Sequence, residues 1–135
     1  MSAVGRIIEL MILIIWLLSS CINQTPQHGK RLYEKHCSGC HGVNGRGLEA
    51  LIPPLKGNPH LIENQSNLPC LIRFGISDTL QIGQNTFDTP MQGLPYLTEV
   101  EMANIINYLA SAFDERIQKT TPLQIRETLR QCPQK

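Results

Sequence analysis

Aromatic residues are scarce in this 135-residue chain, which holds three Tyr, three Phe and one Trp, and the Trp falls at position 16, near the N-terminus. A core built on stacked rings is excluded. Excess charge is also missing: twelve Lys and Arg against eleven Asp and Glu leave a net charge of +1. That balance excludes wholesale electrostatic capture of nucleic acid and the charge-swollen disordered class. The longest apolar run, residues 10–18, is nine residues, whereas crossing a bilayer as a helix takes about 20. Apolar residues crowd the start of the chain, so the overall 41% overstates what the rest contains. A domain of roughly 90 residues buries only about 60–65% of its chain surface, so a lean one is marginal. Some group other than side chains is expected to help fill this core, and the five cysteines suggest which.

What the chain does have begins with a leader. Ile7 to Leu18 is apolar apart from Glu9 and follows Arg6, the pattern of a signal-peptide h-region behind a basic start. Leu18-Ser19-Ser20-Cys21 resembles the bacterial lipobox. The resemblance implies cleavage before Cys21, a diacylglycerol thioether on its sulfur, and N-acylation. Several acyl chains anchor far more firmly than one, at about 0.8 kcal/mol per buried methylene. Ser20 and Glu9 depart from the usual pattern, which leaves a plain signal peptide or an uncleaved anchor open. Residues 1–20 are thus read as a leader and 21–27 as a polar tether. Ile22, rather than an acidic residue, after Cys21 favours the outer over the inner membrane.

Cys37-Ser38-Gly39-Cys40-His41 is the C-x-x-C-H sequence of covalent haem attachment. Two thiols one helical turn apart reach two vinyl groups on one porphyrin edge, and the adjacent imidazole meets the iron. Three other readings compete. Zinc would need two more ligands at regular spacing, and Cys70 and Cys132 stand alone. A thioredoxin-like pair would want a βαβ pattern. A Cys37–Cys40 disulfide would have no use for His41.

Around this motif the chain resembles class I cytochrome c from about Gly29 to Phe113. Gly29 and Tyr33 precede the motif where the family has its first helix, and Tyr108 falls in the last helix, which crosses it. Ile52-Pro53-Pro54-Leu55-Lys56-Gly57 is similar to the family's proximal loop. The resemblance implies a Pro53 carbonyl accepting from the Nδ1–H of His41, and Leu55 packed on the haem face. It also implies an all-α cytochrome c fold, three to five helices around one covalent haem c, over residues 28–113.

Four methionines exist, and two lie in the leader. Met102 follows the capping box Thr98-x-x-Glu101 and shares a helical stripe with Ile105, Ile106 and Leu109, so it reads as core. Met91 lies in an aperiodic, proline-flanked loop that resembles the family's distal ligand loop, and is the expected second axial ligand beside His41. His60, in Asn58-Pro59-His60-Leu61, is the rival, though it reads more simply as an exposed loop histidine. His28 and His36 read as surface groups. A His/Met pair raises the reduction potential relative to two nitrogen ligands.

The glycine-rich turn at 43–47 has neither a preceding strand nor a following Lys-Ser/Thr, which excludes a phosphate loop. Asn67 is a candidate cap for a helix over 68–74 with Pro69 in its first turn. Residues 79–82 and 85–87 flank Gly83-Gln84 as a small β-hairpin before Met91. Arg73 is a candidate haem-propionate partner, or a solvated arginine. Residues 114–135 form an extension in which Thr121-Pro122 starts a helix presenting Ile125, Leu129 and Cys132 on one face. Cys70 and Cys132, left over in an oxidising compartment, are expected to form a disulfide stabilising by about 2–4 kcal/mol.

The expected function is a periplasm-facing, membrane-anchored, monomeric electron carrier rather than an enzyme. Its exposed haem edge, rimmed by Lys30, Arg46 and Lys56, would meet redox proteins in small transient contacts. A net charge near zero gives little global steering. Two alternatives stand beside it: a haem enzyme or gas sensor with a labile sixth ligand, and an electron-entry subunit of a larger oxidoreductase.

Overall fold

A computed structural model describes residues 7–9, 11–13 and 25–133, and helix α1 spans Thr25–His36. Cys21 and the expected cleavage site lie outside the described residues. Thr25 to Gln27, the end of the expected tether, are the first three residues of α1. No helix among the described residues is long and apolar enough to cross a membrane.

The fold turns on the crossing of α1 with α5, Glu99–Ala112. Gly29 makes that crossing close: a Cβ there would lie 2.2 Å from the Asn104 carbonyl oxygen and 2.9 Å from Tyr108 Cβ. Tyr33, fully buried, sets its ring 5.4 Å from Tyr108 and 5.2 Å from Phe113. Three of the chain's few aromatic rings are thus spent on one junction. The start of α5 is a complete capping box. Glu101 N–H donates to Thr98 Oγ1 at 3.3 Å, and Thr98 N–H donates back to Glu101 Oε2 at 2.9 Å. Met102, Ile105, Ile106 and Leu109 are buried on the inner face of α5, as their spacing requires.

Between these helices run short elements: α2, Ser38–His41; α3, Pro59–Glu63; a 3₁₀ turn, Gln65–Asn67; and α4, Leu68–Phe74. Two antiparallel pairs follow. β2, Leu80–Ile82, and β3, Asn85–Phe87, form the expected hairpin about Gly83-Gln84. β1, Gly75–Ile76, pairs with β4, Met91–Gln92, in the register Gly75 to Gln92 and Ile76 to Met91.

Asn67 does not cap α4 as expected. Its side chain makes no capping bond, because the 3₁₀ turn runs into α4 with Asn67 already near helical geometry, φ −94° and ψ −1°. An extended residue is needed to turn the side chain back onto the helix. His60 departs too: it lies half-buried in the first turn of α3, not in an exposed loop. The cap there is Asn58, whose Oδ1 accepts from His60 N–H at 3.0 Å while its Nδ2 donates to the Pro54 carbonyl at 2.8 Å.

The extension closes over α4 and α5. Asn107 exchanges two bonds with Thr120, at 3.0 and 2.7 Å, and Gln118 N–H donates to Gln65 Oε1 at 2.8 Å. Ile117 is buried, and helix α6, Pro122–Gln131, starts at a Thr121–Gln124 capping box and buries Ile125 completely. Cys132, just past its end, is disulfide-bonded to Cys70 on α4.

Candidate functional site

Helix α2 is a single turn, and that suffices to carry Cys40 and His41 one turn past Cys37. His41 N–H and Cys40 N–H both donate to the Cys37 carbonyl, at 3.0 and 3.2 Å. Tyr33 fixes the far end, its hydroxyl donating to the Gly42 carbonyl at 2.5 Å. Burial first, then the neighbouring Cys37 thiol and Tyr108, pushes the Tyr33 phenol up to about 12, so it stays protonated as this donor.

The His41 ring is oriented by the loop after it. Gly47 N–H donates to the His41 carbonyl at 2.9 Å, and Leu55 and Lys56 N–H both donate to the Gly45 carbonyl, at 2.8 and 2.9 Å. Gly47 has φ +69°, and a Cβ there would lie 2.2 Å from the Ile52 carbonyl oxygen. Only glycine lets residues 52–55 fold back so closely on the motif. The outcome is a Pro53 carbonyl 3.3 Å from His41 Nδ1. That bond selects the tautomer protonated at Nδ1 and leaves Nε2 with a lone pair. Burial holds the imidazole below its ordinary pKa, with the bond to Pro53 opposing it more weakly. A neutral imidazole with a free Nε2 is what a metal requires.

Cys37 and Cys40 are unpaired thiols, whereas Cys70 and Cys132 are joined. Cys37 packs against the core and its thiol is pushed up to about 11, by burial and then by Cys40; Cys40 is exposed. Among the described residues no group of three or more His, Cys, Asp or Glu could hold a metal ion. Leu55 lines the same core. Two free thiols one turn apart, an adjacent neutral imidazole with an oriented ring and flanking apolar side chains fit a covalent porphyrin.

Met91 is half-buried on β4, a separate element. The structure gathers Cys37, Cys40, His41 and Pro53 directly and holds Met91 by its pairing with Ile76. Arg73 donates to the Pro95 carbonyl, a link that spacing along the chain could not disclose. His36 is half-buried at the surface, its ring 5.6 Å from that of the exposed Tyr96, whose hydroxyl lies 3.3 Å from Nδ1. Lys30, Arg46 and Lys56 are all exposed, and Lys30 lies 3.7 Å from Glu34, which offsets part of its charge.

The family model described as Cytochrome c matches residues 26–113. The chain is also similar to a protein of Gluconobacter oxydans (strain 621H), "Alcohol dehydrogenase (quinone), cytochrome c subunit", at 31% identity over 87 residues. That match covers 60% of this chain but only 17% of the relative, so the chain spans about a sixth of its length.

Proposed function

This chain belongs to the cytochrome c family, and from that premise we propose that it is a membrane-anchored carrier of single electrons with His41 and Met91 as axial ligands. The family implies one covalent haem c, which supplies a one-electron Fe(III)/Fe(II) couple when bound. Cys37 and Cys40 would hold it through thioethers. His41 would offer Nε2, with Pro53 fixing the ring and raising its basicity. Met91 would offer its thioether from β4. With His41 and Met91 both engaged, the haem would have no open position for a substrate, and the protein would contribute orientation, potential and a docking surface.

The observation that carries this reading is the pairing of His41 Nδ1 with the Pro53 carbonyl beside two unpaired thiols. His60 is the less suited second ligand: the Asn64 amide nitrogen, a donor, lies 3.3 Å from its Nδ1 and 3.5 Å from its Nε2, so it faces both ring nitrogens. Anchoring rests on the sequence alone, through Leu18-Ser19-Ser20-Cys21. Such an anchor would put the carrier in the cell envelope facing the periplasm, with Ile22 after Cys21 favouring the outer membrane.

Intact-mass and peptide analysis of the protein purified from solubilised membranes tests this. The expected result is one haem on the 37–41 peptide and acyl chains on an N-terminal Cys21. A haem-bearing protein still carrying residues 1–20, or starting at an unmodified residue, would remove the lipid anchor from the account.

One observation favours a second reading. The relative is named as the cytochrome c subunit of a quinone alcohol dehydrogenase, which suggests an electron-entry role beside a larger oxidoreductase. Co-purification of a dehydrogenase at fixed stoichiometry would support that role; a haem protein that runs alone supports the free carrier.

A further inference from the structure

The segment that carries Met91 is held by one template. Over residues 72–76, α4 and β1 touch residues 91–95 at nearly every step. Leu94 N–H donates to the Ile72 carbonyl at 2.8 Å. Arg73 donates through its guanidinium to the Pro95 carbonyl. Gly75 and Ile76 pair with Gln92 and Met91. The backbones approach so closely that a Cβ on Gly75 would lie 2.2 Å from the Met91 carbonyl oxygen, and one on Gly93 would lie 2.6 Å from the Phe74 carbonyl carbon.

The template is itself tied down from outside the matched family region. Cys70 lies three residues before Arg73 and is bonded to Cys132 at the end of the extension. That bond spans 62 residues of chain. It holds α6 beside α4, and Ile125 on α6 is fully buried.

From these contacts we infer that Arg73 and the Cys70–Cys132 disulfide are positioning residues for Met91. Arg73 grips the far end of the ligand segment through the Pro95 carbonyl. The disulfide keeps α4, and so Arg73 and β1, where the segment can lie against them. The C-terminal extension thereby acts on the ligand segment through α4. The inference deepens the His41/Met91 reading and rests on it.

The test uses ferric, full-length holoprotein and added imidazole as a competitor for the second axial position. A loosened methionine yields to imidazole more easily, so its apparent Kd reports the local grip. Arg73→Leu, which has no donor, is expected to lower that Kd about tenfold, which is about 1.4 kcal/mol, and to move the loss of the weak thioether–iron band to lower pH. Arg73→Lys, which keeps a donor, restores part of the effect. The double variant Cys70→Ser/Cys132→Ser is expected to lower the Kd several-fold. Amide exchange at Leu94 should accelerate in both.

If these variants unfold more easily yet bind imidazole as the parent does, the residues are structural only and the inference is overturned. If the unaltered protein lacks the thioether–iron band, the ligand reading falls and takes the inference with it. The two failures are therefore distinguishable.

Discussion

At the scale of single residues, the site depends on how closely one backbone approaches another. His41 is oriented by a carbonyl, not by a side chain, and that carbonyl sits where it does because Gly47 has no Cβ. Gly47→Ala meets both a positive φ and the Ile52 carbonyl oxygen at 2.2 Å, so a cost of about 1–3 kcal/mol is expected. Gly57→Ala is the control: φ is +67° there, but nothing lies within 4 Å of the added carbon. Urea denaturation of the two holoproteins should show the larger loss at position 47. Equal losses would mean that the approach of residues 52–55 to the motif has been overvalued. C-x-x-C-H was legible in the chain because its chemistry lies within five consecutive residues. The grip of Arg73 on Pro95 was not, since it joins residues 22 positions apart through a long flexible side chain.

At the scale of elements, local signals succeeded where a helix was long enough to carry them. Thr98 and Glu101 ahead of Met102, Ile105, Ile106 and Leu109 marked α5, and Thr121-Pro122 marked α6. Strands β1 and β4 have two residues each, too few to show any period, and α3 has five. Asn67 misled because a cap signal is meaningful only where the chain arrives extended, and here a 3₁₀ turn precedes it. The α5 cap offers a pH test. The bonds from the Thr98 amide and then its hydroxyl hold the Glu101 carboxyl below its ordinary pKa. A depressed folded-state value means the carboxylate stabilises the protein above the usual glutamate range, and that this is lost as acid protonates it. Stability curves of the parent and Glu101→Gln should therefore converge on acidification; a gap independent of pH would contradict this cap. Thr98→Ala should cost about 1 kcal/mol at neutral pH by chemical denaturation.

At the scale of the whole molecule, the shortage of rings at the outset acquires a reason. Three aromatic side chains serve the crossing of α1 and α5, and a family whose cofactor is a covalent haem gains a large flat apolar group that no side chain here supplies. The cysteines divide accordingly: Cys40 on α2 and Cys37 at its N-cap remain free thiols, two close a disulfide, and Cys21 is left for the proposed lipid. The central claim concerns the iron's two axial partners, His41 and Met91. Its most direct test is the visible spectrum of the oxidised protein, recorded with a potentiometric titration, for the parent chain and for Met91→Ala. The account predicts a weak thioether–iron band at the red end in the parent, its disappearance in Met91→Ala, and a lower reduction potential in the variant. A band and a potential that survive the substitution unchanged would contradict it.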